Sequence, residues 1–310
     1  MHAHGGAESG PLLLAWAADP AALVLVPMAA LLYARGIRSL GGRLRFHDGW
    51  RPPLFYLGLL VAFVALVGPL DHIAEELFLA HMVQHVLLVL VAVPLVLLGA
   101  PVIPMMRGVP RIIRRGVLIP LLQARVVRGF LRLVSHPLVA WPLFVGTFLG
   151  LHFPLVFQAA AESEPLHVFE HGTFALGAYL FWWNVIDPLP LKPNLPYLAR
   201  VPYIFMTVIP TFVLGAFLTY APDAWYAVYE ASAARYGLTG LEDQQLGGVI
   251  MWIPGSFVMG TALVLVLAVA VRREQEEQLA REAGQGTALR PLARDNREAS
   301  RTPTERSPER

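Results

Sequence analysis

Apolar stretches of about twenty residues recur along this chain of 310 residues, and they constrain its fold more than any other feature. Each is long enough to cross roughly 30 Å of hydrocarbon as a helix, in which the backbone N–H and C=O groups pair within the segment. Hydrophobic residues make up 56% of the sequence and charged residues only 15%, which is unlike a soluble domain. The sequence therefore predicts an all-α, polytopic protein of the lipid bilayer.

The distribution of basic residues predicts how these segments are arranged. If the N-terminus lies outside, only Arg235 of the 24 lysines and arginines falls in an outer connection. Cytoplasmic loops carry the excess of lysine and arginine, so we predict an outside N-terminus and a cytoplasmic C-terminus. The net charge of +2 then reflects topology, and we predict no binding to nucleic acid. The seven predicted transmembrane helices cover residues 13–34, 53–70, 77–98, 138–159, 164–186, 201–220 and 247–271.

Three regions follow from this topology. Residues 1–12 are predicted to be a short extracytoplasmic N-terminus, and residues 13–271 form the seven-helix transmembrane domain. Residues 272–310 are rich in arginine and glutamate and poor in apolar residues, so they are predicted to be a disordered cytoplasmic tail.

Two histidine pairs lie inside the apolar stretches. His81 and His85 belong to the third predicted span, and His167 and His171 belong to the fifth. A spacing of four residues places both rings of a pair on one face of a helix, about one turn apart. Ionisable side chains within a membrane segment are costly and usually functional. The two pairs therefore indicate a functional site within the bilayer.

A fifth histidine lies at a similar predicted depth in the membrane as the two pairs. With a rise of about 1.5 Å per residue, the two pairs lie roughly 4–12 Å from the outer ends of their spans. His152, about seven residues before the outer end of the fourth span, reaches a depth of roughly 10 Å. Three helices thus offer imidazoles to one layer. The sequence predicts a metal site formed by His81, His85, His152, His167 and His171.

The identity of the metal is not determined by these residues alone. Imidazole binds copper, zinc, iron and nickel, so copper, zinc and haem iron all remain open. The chain has no cysteine, which excludes disulfides, iron–sulfur ligation and thiolate sites. Further ligands are then carboxylate, methionine or backbone groups. The residues predicted to ligate the metal or to support its ligands are Glu170, Asp243, Gln84, Met251 and His72.

The stretch over residues 241–255 opens the last predicted span. Asp243 and Gln244 are expected to cap that helix and to hydrogen-bond the ligand histidines. Gly247 and Gly248 are expected to allow a neighbouring helix to approach closely.

Other functions fit the same histidines. His167, Glu170 and His171 match the HxxEH pattern of inverted zinc proteases, so an intramembrane zinc-dependent hydrolase is one alternative. A haem-binding membrane protein with two axial histidines is another. A proton relay or a hydrogen-bonded polar cluster between helices would need no metal. An ion transporter is disfavoured, because the inner halves of the spans are almost wholly apolar.

Short motifs follow one another in a fixed order over about residues 50–271. Through them the chain resembles the CtaG family of bacterial cytochrome c oxidase assembly factors, the multi-spanning family that acts on a caa-type oxidase. The motifs are His81-Met82-Val83-Gln84-His85, Leu98-Gly99-Ala100-Pro101, Leu151-His152-Phe153-Pro154, His167 with Glu170-His171, Phe181-Trp182-Trp183, Glu242-Asp243-Gln244-Gln245, Met251-Trp252 and Pro254-Gly255.

The resemblance implies a non-enzymatic role in the bacterial inner (cytoplasmic) membrane. It implies a haem–copper oxidase as the partner, with copper supplied to or inserted into its catalytic subunit, and it leaves a homo-oligomer open. The histidine motifs of the family match the five histidines of the predicted metal site, and its acidic signature matches Asp243. That the histidines bind copper is an inference from their spacing and depth. The expected function is therefore that of a copper-binding assembly factor, or chaperone, of the respiratory chain.

Overall fold

The computed structural model describes residues 19–41, 49–187 and 195–299, with side chains described as far as Glu282. Within these residues the chain is helical and contains no β-strand, which confirms the predicted all-α class. Short helical turns over 111–123 and 227–236 connect longer helices. The longer helices are α1 (Pro20–Leu40), α2 (Arg51–Val67), α3 (Pro69–Ala74), α4 (Phe78–Leu98), α5 (Val102–Gly108), α6 (Arg125–Val134), α7 (Pro137–Leu151), α8 (Pro154–Ala161), α9 (Glu164–Val185), α10 (Tyr197–Thr219) and α11 (Gly240–Ala299).

Four helices among the described residues are long and apolar enough to cross a membrane: α1, α4, α10 and the part of α11 up to Glu282. A fifth is reached if α6 and α7, which are bent by 65° relative to each other, count as one span. Helix α2 is apolar but has only 17 residues. The chain is therefore a multi-pass membrane protein by the length and composition of its helices. Seven spans and the orientation of the termini stay predictions.

The helices of the structure begin and end at positions that differ in part from the predicted ones. The span predicted over 138–159 is divided between α7 and α8, because Pro154 begins α8 and cannot continue the helical hydrogen bonding of α7. The structure also continues α11 through 272–299, the first part of the predicted disordered tail, and the side chains from Arg272 to Glu282 are exposed. Residues 1–12 and 300–310, to which the predicted termini belong, lie outside the described part of the chain.

Helix α4 is the centre of the fold and packs against α2, α9 and α11. Residues Leu87–Ala92 form a π-helical turn inside it, directly after the pair His81 and His85. The indole N–H of Trp182 on α9 donates a hydrogen bond of 2.9 Å to the backbone oxygen of Val89 in this turn. Such turns are frequent at functional sites. Here the turn separates the histidine-bearing part of α4 from its apolar second half.

Two buried cores flank this part of α4. The aromatic core consists of Phe78, Phe157, Tyr226 and Tyr229, together with Met82, Leu218 and Met251. The aliphatic–aromatic core includes Val89, Leu97, Phe144, Phe174, Phe181 and Trp182. The ring of His81 lies 5.2 Å from that of Phe157 in the first core, and the ring of His85 lies 4.4 Å from that of Phe174 in the second. The histidines therefore occupy the layer between the two cores.

Gly247 brings α11 against the start of α4. A Cβ atom at this position would lie 2.3 Å from the ring of Phe78, so the close approach requires the absence of a side chain. A Cβ atom at Gly248 would lie 2.6 Å from the hydroxyl of Thr219 on α10. The prediction that both glycines permit close helix packing is confirmed.

We expect Gly247→Ala to lower the free energy of unfolding by about 1–3 kcal/mol, the usual cost of overpacking a filled interior. Gly260→Ala is a matched control on the same helix, because nothing lies within 4 Å of the Cβ position there. Thermal unfolding of both variants in detergent measures the difference. Equal unfolding temperatures for the two variants would contradict the tight contact between Gly247 and Phe78.

Candidate metal centre

The two histidine pairs face each other across the contact between α4 and α9. Within each pair the ring centroids are 4.3 Å apart, as expected for residues one helical turn apart. Between the helices the rings of His81 and His167 are 5.3 Å apart, and so are those of His85 and His171. The order of the pairs along the two helices is thus the same. The histidine closer to the start of α4 meets the histidine closer to the start of α9.

Glu170 completes the polar layer from α9. One of its carboxylate oxygens, Oε1, lies 3.8 Å from Nε2 of His81 and 4.0 Å from Nε2 of His85. The side chain is almost fully buried, as are those of both histidines. A carboxylate within this distance compensates the charge of any cation held between the two helices.

Two overlapping groups of ligand atoms result. In each group the ligand atoms lie within 4.8 Å of one another. Two nitrogens bound to one ion at about 2.0–2.1 Å each are at most about 4.2 Å apart, so side-chain movements of roughly an ångström would close either group around a metal. The outer group consists of His81, His167 and Glu170, and the inner group consists of His81, His85 and His171.

Unpaired buried polar atoms are concentrated in this layer. Such an atom costs about 1–3 kcal/mol when it has no hydrogen-bond partner, and native proteins contain few of them. A cation bound between the helices would provide a partner for several of them. In the described part of the chain the layer contributes Nε2 of His81, Nδ1 and Nε2 of His85, Nε2 of His152, Nε2 of His171 and both carboxylate oxygens of Glu170.

His152 lies beside the two groups without joining either. It follows the last residue of α7, and its ring is 6.1 Å from the ring of His85. Its Nδ1 is 2.7 Å from the backbone oxygen of Phe148, so Nδ1 carries the proton and donates it. The buried Nε2 is thereby left with a free lone pair, which is the state a metal ligand requires. His152 therefore has a free Nε2 lone pair, but its ring lies beside that of His85 and belongs to neither group of ligand atoms.

Asp243 holds the start of α4, which its position in the sequence does not predict. Its side chain is fully buried, and its two oxygens accept hydrogen bonds of 2.7 and 3.0 Å from the backbone N–H groups of Phe78 and Leu79. It therefore caps α4, the helix that carries His81 and His85, rather than α11 to which it belongs. These bonds go to backbone groups and not to the histidine rings.

The next two residues attach α11 to the preceding loop. Gln244 accepts a hydrogen bond of 2.5 Å from the backbone N–H of Trp225 and donates one of 3.4 Å to the backbone oxygen of Asp223. Gln245 donates to the backbone oxygen of Ala221 at 3.2 Å. None of these three bonds is the predicted capping interaction or a bond to a histidine.

Gln84 points away from the histidine layer. Its amide donates to the backbone oxygen of Ala65 at 2.8 Å and to a carboxylate oxygen of Asp71 at 2.5 Å, so it ties α4 to α2 and α3. Burial raises the pKa of Asp71 to about 6, although the hydrogen bond from Gln84 opposes this shift. Asp71 therefore keeps its proton to a higher pH than an exposed aspartate does.

Met251 and His72 are the remaining predicted supporting residues. Met251 belongs to the aromatic core and also lines a small cavity of about 40 Å³ with His85 and His152. His72 is half-buried on α3, and no described contact joins it to the five histidine rings. The structure thus places Met251 next to the site and His72 outside it.

Sequence reasoning missed the residues that enclose the layer. The ring of Phe174 contacts those of His85 and His152, and the ring of Phe157 contacts that of His81. The hydroxyl of Tyr226 donates a hydrogen bond of 2.8 Å to the backbone oxygen of His152 and so holds the break between α7 and α8. The only local signal for Phe174 is its position three residues after His171 on the same helix.

Comparison with known proteins gives one family and several distant relatives. A family model described as cytochrome c oxidase caa3 assembly factor (Caa3_CtaG) matches residues 31–273. An uncharacterized protein of Mycobacterium leprae is 27% identical over 211 residues, which are 64% of this chain and 31% of the relative. Uncharacterized proteins of Mycobacterium bovis and Mycobacterium tuberculosis are each 29% identical over 186 residues, which are 57% of this chain and 27% of each relative.

The chain spans less than a third of the length of these curated relatives. No solved structure matches it.

Proposed function

This chain belongs to the family of cytochrome c oxidase caa3 assembly factors, and from that membership we propose that it binds copper and supplies it to the catalytic subunit of a haem–copper oxidase. The observation that supports copper binding is the convergence of unpaired buried nitrogens and carboxylate oxygens on one layer between α4 and α9. The five histidines predicted from the sequence and Glu170 all belong to this layer.

The set of donor atoms suits copper as a cargo. The available donors are imidazole nitrogens and one carboxylate, which bind copper, zinc and other transition metals. We propose copper among these metals because the oxidase that the family assembles contains copper at its catalytic site. Each buried charge is costly in a low-dielectric interior unless an opposite charge accompanies it. Glu170 provides that charge, since its carboxylate oxygen lies 3.8 and 4.0 Å from the Nε2 atoms of His81 and His85, about the separation of two ligands of one ion.

The proposed transfer proceeds by exchange of ligands. With the predicted topology the histidine layer lies in the outer half of the membrane, and the copper of a haem–copper oxidase is held by histidines within the membrane. A histidine of the client can replace a histidine of this chain at the ion, so that no bare cation has to enter hydrocarbon. The aromatic residues around the layer exclude water, and the hydrogen bond at Nδ1 keeps the Nε2 lone pair of His152 available.

The geometry favours this role over a haem-binding protein and over a zinc-dependent hydrolase. A porphyrin or a peptide substrate needs a pocket of several hundred Å³. The cavity beside His85 and His152 in the described part of the chain has a volume of only about 40 Å³. We therefore propose a non-catalytic role, in which the site holds and releases an ion.

Deletion of the gene tests the function directly. In a bacterium that lacks this gene, the haem–copper oxidase should contain its haem but should have lost most of its catalytic-site copper and activity. The gene supplied in trans should restore the copper content, whereas the double variant His81→Ala/His85→Ala should not. The measurement is the ratio of copper to haem in the purified oxidase.

His136→Ala is the matched control for this experiment, because His136 is exposed and far along the chain from either pair. It should restore the oxidase like the unmodified gene. An oxidase with full copper content in the deletion strain would refute the proposed function.

A further inference from the structure

The outer and inner groups share one residue, His81. Its Nε2 is buried and has no hydrogen-bond partner, so its lone pair is available to a metal. A neutral imidazole has one nitrogen that accepts and one that carries a proton, and it therefore ligates one metal at a time. Two ions cannot occupy the two groups together while both use neutral His81. The groups are alternative positions for a single ion.

The two positions differ in how far they lie from the surface. His167 is half-buried, whereas His85 and His171 are only 5% and 4% exposed. Along the helices, His81 and His167 each precede their partner by one turn, so they lie closer to the starts of α4 and α9. The outer group is therefore the one that an arriving ion reaches first.

Glu170 remains near the ion in both positions. Its Oε1 lies at nearly the same distance from Nε2 of His81 in the outer group and from Nε2 of His85 in the inner group. The negative charge consequently accompanies a cation that moves from one group to the other. A change of position then replaces His167 and Glu170 as ligands with His85 and His171, while His81 stays bound and the Glu170 carboxylate remains close by.

We propose that His81, His167 and Glu170 form an acquisition site that receives copper and passes it to the inner group by ligand exchange at the ion, with His81 bound throughout. This proposal rests on the proposed copper-binding function and adds the direction in which the ion moves, from the outer group to the inner group. His167 receives the ion, His81 carries it through the exchange, and His85 and His171 retain it.

The rate of copper uptake tests the proposal. The purified full chain in detergent, free of metal, is mixed with Cu(I) bound to a coloured chelator, and transfer is followed by absorbance. In His167→Ala we expect uptake to slow by about tenfold or more, an effect of the size that loss of one supporting group has at metal sites. The final copper content should equal that of the unmodified chain, because the inner group is intact.

The complementary variant is His85→Ala, which leaves the outer group complete. It should take up copper as fast as the unmodified chain but lose it to excess chelator about tenfold faster or more, since the retaining ligands are incomplete. His167→Gln repeats the first test with a polar side chain, and size-exclusion chromatography shows that each variant is folded.

The outcomes separate this proposal from the function on which it rests. Unchanged uptake rates in both His167 variants, with normal copper binding by the unmodified chain, would overturn the acquisition site alone. Failure of the unmodified chain to take up any copper would overturn the copper-binding function as well. Slower uptake in the His167 variants with unchanged final content would support the transfer from the outer to the inner group.

Discussion

Replacing His81 and His85 together with alanine is expected to abolish tight copper binding by the purified protein. The double variant removes two of the three nitrogens of the inner group and the shared ligand of the outer group. Loss of even an indirect partner of a metal ligand lowers affinity about 10–100-fold, so the loss of two direct ligands should exceed that range. The remaining His167, His171 and Glu170 all lie on α9 and have no ligand from α4 opposite them within either group.

Metal analysis after loading with copper and removal of the excess measures this effect. The unmodified chain should retain about one copper, because His81 serves one metal at a time. The double variant should retain almost none, and His136→Ala should retain as much as the unmodified chain. Equal retention by the double variant and the unmodified chain would rule out the histidine layer as the copper site.

Replacing Asp243 with alanine is expected to destabilise the protein and to weaken copper binding without removing any ligand. The substitution leaves the N–H groups of Phe78 and Leu79 at the start of α4 without their partners. Loss of a helix cap costs roughly 0.5–2 kcal/mol, and the full burial of Asp243 favours the upper end of that range. Because His81 lies in the first turn of α4, fraying of that turn displaces the ligand shared by both groups.

Asp243→Asn provides a graded comparison. Its side chain keeps one accepting oxygen, so we expect a smaller loss of stability than with alanine, and copper binding between that of Asp243→Ala and that of the unmodified chain. Thermal unfolding and copper affinity are measured on the same preparations. If Asp243→Ala unfolded at the normal temperature and lost copper, the proposal that Asp243 affects copper binding by stabilising the start of α4 would be wrong.

Much of the fold follows from local sequence patterns. Long apolar segments form helices in this environment because the backbone has no other way to pair its polar groups in hydrocarbon. The four-residue spacing within each histidine pair sets the two rings on one helical face, since this depends only on the pitch of a helix. The small residues Gly247 and Gly248 likewise indicate where helices approach each other closely.

Contacts between distant segments could not be predicted in this way. Asp243 and Phe78 are 165 residues apart in the sequence, and the pattern around Asp243 fits a cap of its own helix equally well. Gln84 lies between two histidines, but helical geometry turns it to a different face, towards Asp71. The break at His152 also depends on tertiary structure, because Tyr226 from a distant loop holds it.

The sequence by itself determined the helical class, the membrane setting and the set of histidines, because each of these depends on composition or on spacing within one helix. Only the tertiary structure decided which histidine meets which, that Glu170 approaches both histidines of α4, and that His152 lies beside the two groups without belonging to either. Those relations depend on the register of α4 against α9 and on the cap that α11 provides, and no single segment contains the information that sets them.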